Sequence, residues 1–592
     1  MKALRAIEKD KSEKNPFLIT RCPWCGAEMG PVEHASPLAD EDEAPRRRGR
    51  GRGTRSRAAG AVTQVSALGY QQREGTVALH CPDRRCDFRH ALPVYVVDED
   101  TYQQRPSLII GTVDKFAMLA WRPEARSLFG IGLDGQRVAS PPGLVIQDEL
   151  HLISGPLGSM SGLFEGVVEE LCTDRRDGRE VRPKLVCSTA TIRAYREQVQ
   201  ALYARDHTEL FPPPGLDVSD SFFAQYAREK DGRLKRGRMY VGVNGPGHGS
   251  MQTTQVRTFS AMLQFPKSLD AAAQDPWWTL LTFFNSLREL GTTVTLFQSD
   301  IPDYLKILED RYALPKGALR NPWGVKELTG RLDSEEVPRA IKDLEVTTDN
   351  PDGQAAVDVC LASNIIEVGV DIGRLSLMAI VGQPKTTSQY IQVSGRVGRR
   401  WWERPGVVVM LYNASKPRDR SHFEKFRSYH EQLYAQVEPT SVTPFSPPAL
   451  DRGLRAALVA FIRQQAEMGH DGPAKTPKVY PEDLGDAFAQ MILERVDQID
   501  PAERGNVERM LDNAKAAWIA LKKERYWVTG ASGIDNPGLL TPAGQHVNPG
   551  VRDLTWMTPQ SMRNVDATCE ARITRLPELD AVRRTQKERT HG

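Results

Sequence analysis

The chain has 592 residues, with 78 Lys and Arg against 76 Asp and Glu and a formal net charge of +2. This length exceeds what one hydrophobic core organises, so we expect several domains, and the small net charge favours no class of partner. No apolar run approaches the roughly 20 residues of a membrane span, and the N-terminus MKALRAIEKDKSEKNP lacks the apolar stretch of a secretion signal. These features predict a globular protein without a membrane partner.

Two cysteine pairs lie in the first predicted segment, residues 1–105. Cys22-Pro-Trp-Cys25 and Cys81-Pro-Asp-Arg-Arg-Cys86 have the short spacing that lets both sulfurs of a pair face one metal ion. Four thiolates complete the tetrahedral shell of Zn²⁺, so we predict a structural zinc site. A redox Cys-x-x-Cys is the alternative, but it requires a single pair. Eight cysteines in so long a chain do not form a disulfide scaffold and favour the reducing cytoplasm.

A compositionally biased stretch separates the two cysteine pairs. Residues 33–62 include EDEAPRRRGRGRGTRSRAAG, which is acidic and then rich in arginine and glycine. This composition cannot bury a core, so we predict a disordered loop. One interpretation is a flexible arm that binds nucleic-acid phosphates, and the other is a tolerated insertion without function. We favour the second.

Short apolar runs recur from residue 106 to residue 438. SLIIGTV, GLVIQDE and KLVCSTA fall in residues 106–235, and WTLLTFFNSL, TTVTLFQSD, VDVCLASN, LSLMAIVG and GVVVMLYN fall in residues 236–438. Flat apolar strands of this kind are typical of parallel sheets covered on both faces. Residues 439–592 instead contain amphipathic patterns such as LDRGLRAALVAFIRQQAEM, DLGDAFAQMILERV and NVERMLDNAKAAWIALKKERY. We therefore predict two α/β lobes followed by a helical accessory domain.

Three motifs have the residue types that ATP hydrolysis requires. In LVIQDELHLI, Asp148 follows a strand and can hold Mg²⁺, while Glu149 can polarise the attacking water. Ser188-Thr-Ala-Thr191 follows the next strand, so its hydroxyls are expected at the same sheet edge. In Gln392-Val-Ser-Gly-Arg396-Val-Gly-Arg399, two arginines three residues apart can act as fingers on a γ-phosphate.

The order of these and neighbouring motifs resembles that of the superfamily-two DExH-type helicases. The matching stretches are GTVDK from Gly111, DELH from Asp148, STAT from Ser188, FNSLR from Phe284, LASNIIEVGVDI from Leu361 and QVSGRVGR from Gln392. More narrowly, QDELHLISGPLGSM, VEPTSVTPFSPPALDR, TPQSMRNVDATCEARI and the cysteine pairs resemble the DrmA helicases of DISARM anti-phage systems. The resemblance implies an α/β fold with two RecA-like parallel-sheet lobes, the first incomplete, a zinc-knuckle insertion and a helical C-terminal domain.

The resemblance also implies a role for individual residues. Asp148 and Glu149 would act on Mg²⁺ and water, and Arg396 and Arg399 would be the catalytic fingers. The ATP site would be lined by His151, Gly369, Asp371 and Gln392. The nucleic-acid backbone would contact Thr112, Lys115, Ser363 and Asn364. The implied activity is that of an ATP-dependent helicase or translocase on nucleic acid, with DNA favoured over RNA, and the implied partners include other DISARM subunits.

The phosphate-binding loop of this family is missing from the sequence. Gly-x-x-x-x-Gly-Lys-Ser/Thr does not occur, and the nearest stretch, GHDGPAKT, has alanine in place of the second glycine and is followed by Pro477. Three explanations compete: an upstream partner carries the loop, an N-terminal segment is missing, or the chain is a catalytically inactive zinc-containing DNA-binding scaffold. We favour the first two, because a binding-only protein does not require both acids and both arginines.

Overall fold

The computed structural model describes residues 19–35, 63–73, 76–189, 194–213, 215–217, 220–315, 317–332, 336–351, 353–363, 371–438, 441–468, 475–477, 479–530 and 532–563. Contacts divide the chain into two compact units. Unit 1 comprises residues 1–96 and 210–438, and unit 2 comprises residues 97–209 and 439–592. The domain boundaries that the sequence suggested, at residues 105, 235 and 438, stay predictions.

A six-stranded sheet organises the larger part of unit 1. Its strands are β1 (Met239–Asn244), β2 (Leu280–Phe284), β3 (Val325–Leu328), β4 (Val359–Ala362), β5 (Leu377–Val381) and β6 (Val407–Tyr412). They lie in the order β1-β6-β5-β2-β4-β3, and every neighbouring pair is parallel. Strands β2, β4 and β5 are buried at every residue, and alternate residues enter two different core clusters. A parallel sheet buried on both faces confirms the predicted RecA-like lobe.

The helices of unit 1 are Met251–Gln264, Ala271–Trp278, Leu287–Gln298, Asp300–Tyr312, Glu336–Glu345, Thr387–Ser394, Pro417–Glu424 and Phe426–Glu431. The run TTVTLFQSD, predicted to be a strand, belongs to helix Leu287–Gln298, so that prediction was wrong. The Ser286 hydroxyl accepts a hydrogen bond from the Glu289 amide (3.3 Å) and caps the helix. Burial recurs with helical spacing at Leu290, Thr293, Leu296 and Phe297. The cap and this one-sided burial outweigh the strand preference of the β-branched residues.

A small antiparallel module forms the N-terminal part of unit 1. Strand Gly30–Ala35 pairs with Thr63–Leu68, and strand Tyr70–Arg73 pairs with Thr76–Leu79. The module packs around a core that includes three of its cysteines. Residues 33–35 were predicted to belong to the disordered loop, but they lie in the first of these strands, where each pairs with a residue of the second. The rest of the predicted loop, residues 36–62, lies outside the described residues.

Unit 2 is mainly helical. Its helices are Asp98–Gln104, Asp114–Ala117, Gly155–Cys172, Tyr195–Tyr203, Pro447–Gln465, Glu482–Ile499, Arg504–Leu521 and Ser532–Asp535. Its strands form two parallel pairs, Leu144–Gln147 with Lys184–Cys187 and Leu540–Pro542 with Trp556–Thr558. The three long C-terminal helices were predicted and are confirmed. Helix Pro447–Gln465 shares one core with helix Gly155–Cys172. They pack closely because Gly453 has no side chain: a Cβ there would lie 2.7 Å from Leu163 Cδ2.

The described sheet of the first lobe has two strands. Leu144–Gln147 and Lys184–Cys187 form as predicted, but the run SLIIGTV does not form a strand, and Leu108 and Ile110 are 74% and 90% exposed. A strand requires a neighbour that completes its hydrogen bonds, and no described strand lies beside this run. Within the described residues, the first lobe is thus incomplete, which agrees with the prediction. None of the described helices is long and apolar enough to cross a bilayer.

Candidate nucleotide and metal sites

Two predicted motifs meet at one edge of the parallel pair in unit 2. Gln147 and Cys187 are register partners at the ends of their strands, so Asp148 and Ser188 follow side by side. The Ser188 hydroxyl donates a hydrogen bond to Asp148 Oδ1, and the Leu150 amide donates to the Ser188 carbonyl (2.9 Å). Asp148 remains exposed to solvent. A carboxylate that is oriented by a hydroxyl and open to solvent can coordinate a divalent cation.

The residues after Asp148 form a tight turn. Glu149 has a left-handed backbone, with φ 53° and ψ 46°, and its amide donates to Asp148 Oδ1 (3.0 Å). Its carboxylate lies 3.4 Å from Nδ1 of the buried His151, and Thr189 Oγ1 lies at the same distance from that nitrogen. His151 therefore contacts the second motif, whereas its predicted role at the ATP site stays a prediction. A non-glycine residue in this conformation costs on the order of 1–3 kcal/mol, and such strain is concentrated at functional sites.

Gln198, which no sequence motif singled out, supports this turn. From the buried side of helix Tyr195–Tyr203, its Nε2 donates to the carbonyls of Leu150 (3.0 Å) and Ile153 (2.8 Å). The signal that could have found it is a glutamine on the face of an amphipathic helix that otherwise buries apolar residues. Because the amide is 1% exposed, these bonds do not compete with water and they fix the backbone that follows Glu149.

The predicted nucleic-acid residues of unit 2 lie around helix Asp114–Ala117. Thr112 is exposed, and Lys115 Nζ lies 2.7 Å from Asp98 Oδ2 in an exposed ion pair. Exposed pairs contribute about 0–1 kcal/mol, so a phosphate can displace the carboxylate. Asp114 Oδ1 accepts hydrogen bonds from the Ser561 hydroxyl (2.6 Å) and the Met562 amide (2.8 Å), which anchors the late TPQSM stretch as a packed turn.

In unit 1, the arginine motif follows helix Thr387–Ser394. Arg399 Nη1 lies 2.8 Å from Asp371 Oδ2, so two predicted site residues are in contact. Arg238 donates to the carbonyls of Val397 (2.9 Å) and Gly395 (3.2 Å) and thereby holds the motif's backbone. An open pocket of about 530 Å³ is lined by Arg238, Asp371, Gly373, Gly395, Arg399, Arg400 and Trp402. This pocket has an excess of positive charge, which suits an anion. Arg396 and Gln392 lie half-buried in the same motif.

The start of helix Thr387–Ser394, which precedes the arginines, is held by Glu438. Its carboxylate accepts from the Thr387 amide at 3.0 and 2.8 Å, so a negative charge lies at the positive end of the helix. Tyr390 on the same helix has its hydroxyl 2.8 Å from His430 Nε2. Burial lowers the pKa of His430, which favours the neutral ring. Arg238 carries no motif signal, and Glu438 lies in the quoted stretch VEPTSVTPFSPPALDR, but neither residue was predicted to support the site.

The structure gives less information about the other residues predicted to contact the nucleotide or the nucleic acid. Ser363 is buried, and its amide donates to the Leu328 carbonyl (3.2 Å). Asn364 and Gly369 lie outside the described residues. Asp148 and Glu149 belong to unit 2, whereas Arg396 and Arg399 belong to unit 1. Their joint action on one nucleotide stays a prediction.

The four predicted zinc ligands come together in unit 1. The sulfurs of Cys22, Cys25, Cys81 and Cys86 all lie within 4.8 Å of one another. Burial and the nearby sulfurs raise the pKa of Cys81 to about 12, although the Asp83 amide acts in the opposite direction. Burial also acts to raise the pKa of Cys22. The Cys25 and Trp24 amides and the neighbouring thiols outweigh burial and lower this pKa to about 7. Four thiols this close together cannot all lose their protons unless a cation balances the negative charge. They are therefore suitable ligands for a tetrahedral metal ion.

The comparisons with known proteins agree with the helicase resemblance of the sequence. Residues 295–400 match the helicase conserved C-terminal domain. The chain is 40% identical over 421 residues to DISARM protein DrmA of Bacillus paralicheniformis, a match that covers 65% of this chain and 36% of that protein. It therefore spans about a third of the length of that curated relative. It is also 39% identical over 57 residues to the ATP-dependent helicase Lhr-Core of Methanocaldococcus jannaschii, covering 10% of this chain and 7% of that protein.

Among solved structures, the chain is similar to the DUF1998 helicase MrfA bound to DNA, with a TM-score of 0.41 and 17% identity over 62% of this chain and 41% of that one. The sequence relationship to DrmA and the helicase C-terminal domain confirm the resemblance that the motif order indicated. The chain is thus similar to DrmA over 421 residues and to the helicase conserved C-terminal domain over residues 295–400.

Proposed function

We propose that this chain is the motor part of an ATP-dependent DNA helicase or translocase in a bacterial anti-phage defence system. The observation that supports this most directly is the edge formed by Asp148, Ser188, Glu149 and His151. Its carboxylates follow parallel strands, where α/β proteins bind phosphates and their metal ions. The similarity to DISARM protein DrmA supports the defence role.

In the proposed reaction, Asp148 holds the Mg²⁺ that accompanies ATP, and Ser188 keeps that carboxylate in place. Glu149 orients the attacking water, and His151 restrains the Glu149 carboxylate. Arg396 and Arg399 neutralise the charge that develops on the transferred phosphoryl group. Gln392 and Asp371 contact the nucleotide, whereas Thr112, Lys115 and Ser363 contact the nucleic-acid backbone. Such backbone contacts position a strand without reading its sequence.

The proposal requires a phosphate loop from a P-loop-bearing partner or from a further segment of the protein. Gly-Lys does not occur in the 592 residues, and the chain spans about a third of its DrmA relative. The chain by itself is therefore expected to hydrolyse little ATP. Other DISARM subunits are further proposed partners. The unpaired cysteine usage supports a cytoplasmic location.

We further propose that the four-cysteine cluster binds Zn²⁺. The ion would be held by Cys22, Cys25, Cys81 and Cys86 and would stabilise the module without taking part in hydrolysis, because four thiolates leave no open coordination position.

The test is ATP hydrolysis with Mg²⁺, with and without single-stranded DNA or RNA, in the presence and absence of the P-loop polypeptide. Glu149→Gln is expected to reduce hydrolysis by about 10²–10⁴-fold, since it removes the group that orients water. Glu197→Gln, an exposed substitution in the same unit, is the matched control.

The outcomes separate the candidate functions. Hydrolysis by the chain alone that Glu149→Gln abolishes would show that no external loop is needed. Hydrolysis that appears when the P-loop polypeptide is added would support the split motor. DNA binding that ATP does not change, together with no hydrolysis under any condition, would favour the alternative function. In that case the chain would be an inactive zinc-containing DNA-binding scaffold. Stronger stimulation by RNA than by DNA would contradict the choice of substrate.

A further inference from the structure

An exposed indole lies in the first cysteine loop of unit 1. Trp24, between Cys22 and Cys25, is 66% exposed. Its ring meets Phe88 edge to face, with centroids 5.5 Å apart and an interplanar angle of 73°. Phe88 is half-buried and packs against the module's core. The contact therefore sets the orientation of the indole while most of its surface remains in solvent.

The loop that carries Trp24 is rigid for its size. Cys22 and Cys25 flank the indole within two residues on each side, and their sulfurs belong to the cluster that spans less than 4.8 Å. The Cys22 amide also donates to the Ala27 carbonyl (2.8 Å), and the Gly26 amide donates to the Cys22 carbonyl (2.9 Å). A ring fixed in this way loses little conformational entropy when a ligand stacks on it.

Four exposed arginines lie close in sequence to the clustered cysteines: Arg21, Arg84, Arg85 and Arg89. Each is within three residues of one of these cysteines, so at most about 12 Å of backbone separates it from the cysteine cluster. In the described part of the chain, no ion pair joins their guanidinium groups to a carboxylate. Three exposed carboxylates, those of Glu28, Asp83 and Asp87, share the module. The positive excess is therefore small, and the aromatic surface is the more distinctive feature.

We propose that this module binds single-stranded nucleic acid, with one base stacked on Trp24 and the neighbouring phosphates contacting the arginines. An aromatic platform beside guanidinium groups is the combination with which proteins bind single strands without sequence preference. The site lies outside all the helicase motifs and does not depend on ATP hydrolysis.

The surroundings of Trp24 favour a nucleic acid over a protein partner. Protein interfaces bury contiguous apolar patches. In residues 19–30 and 76–96, which the structure describes, Trp24 is the most exposed large apolar side chain at 66%, ahead of Tyr95 and Val96, and most of its exposed sequence neighbours are polar or charged. One strongly exposed aromatic ring near charges suits one base of a flexible strand.

The experiment measures binding of a fluorescently labelled oligothymidylate to the full chain by anisotropy, without ATP. Trp24→Ala is expected to weaken binding by about 5- to 150-fold, the range for loss of one stacked base. Trp24→Phe should retain most of the affinity because it keeps an aromatic face, whereas Trp24→Leu should behave like Trp24→Ala. Trp323→Ala is the matched control, since Trp323 is 88% exposed elsewhere in unit 1.

A charge reversal tests the second half of the site. Arg84→Glu with Arg85→Glu should reduce the slope of log affinity against log salt concentration by roughly 0.7 for each phosphate that is no longer neutralised. Zinc content and circular dichroism establish that each variant is folded. Wild-type affinity in Trp24→Ala, or equal affinities in Trp24→Leu and Trp24→Phe, would overturn the proposal. Failure of ATP hydrolysis in every assay would refute the motor and leave this binding result unaffected.

Discussion

Glu165 provides a stability test of unit 2. It lies on helix Gly155–Cys172 and is buried against Arg495 of helix Glu482–Ile499. That guanidinium is already engaged by Glu169 (3.1 Å) and by the Leu202 carbonyl (2.8 Å). Burial is therefore the dominant influence on Glu165 and raises its pKa from an ordinary 4.5 to about 7, although Arg495 acts in the opposite direction.

The sign of the pH dependence follows from this shift. The folded protein keeps the Glu165 proton up to about pH 7, whereas the unfolded chain releases it near pH 4.5. The folded state thus binds more protons between these values, and its stability falls as the pH rises through them. The shift corresponds to about 3 kcal/mol. Glu165→Gln does not titrate, so it should gain up to this amount relative to the wild type between acidic pH and pH 8.

The assay compares thermal unfolding of the wild type and Glu165→Gln at pH 5 and pH 8. The difference in melting temperature between variant and wild type should rise by roughly 5–10 °C from the lower to the higher pH. Glu197→Gln, an exposed change on helix Tyr195–Tyr203, should shift neither value. A Glu165→Gln variant equally destabilised at both pH values would show that the carboxylate is ionised and paired with Arg495, which would refute the reasoning.

Three further outcomes are expected. Cys22→Ser should abolish stoichiometric zinc binding measured by metal analysis, because a three-thiolate set leaves the shell open; unchanged zinc content would contradict the assigned ligands. Asp358→Ala should destabilise unit 1 by about 3–5 kcal/mol in urea unfolding. The Arg320 guanidinium is 1% exposed and lies 2.9 Å from the Asp358 carboxylate, so the variant leaves it buried without its charge partner. A smaller loss would mean that water reaches the arginine. In the complete motor, Ser188→Ala should raise the Mg²⁺ concentration needed for hydrolysis, because Asp148 loses the hydroxyl that orients it; an unchanged Mg²⁺ dependence would exclude that role.

Strand prediction succeeded for three runs that are buried on both faces. The runs that became β2, β4 and β5 are apolar at successive positions, and the structure buries both of their faces. It failed for SLIIGTV because a strand needs a paired neighbour, which an apolar run does not reveal. It failed for TTVTLFQSD because the Ser286 cap and the burial of one face on successive turns select a helix.

The placement of Asp148 beside Ser188 was predictable, because the ends of adjacent parallel strands meet at one sheet edge. The residues that hold these sites in place were not predictable from the sequence. Gln198, Arg238 and Glu438 act on backbone carbonyls or amides that are distant in sequence, and the sequence does not show which backbone groups lack a partner. The Arg399 contact with Asp371 joins two predicted residues, but only the folded chain shows it as an ion pair.

The shared core of helices Gly155–Cys172 and Pro447–Gln465 has a consequence for biosynthesis. The first helix leaves the ribosome long before its partner, because more than 250 residues separate them in the chain. At about 5–20 residues per second, the delay is on the order of tens of seconds. During that time the apolar face of Gly155–Cys172 stays uncovered, whereas the six-stranded sheet encoded between the two helices can complete itself. We expect ribosome-bound chains that end before residue 447 to recruit chaperones through this face, and release of the chaperone should coincide with emergence of the later helix.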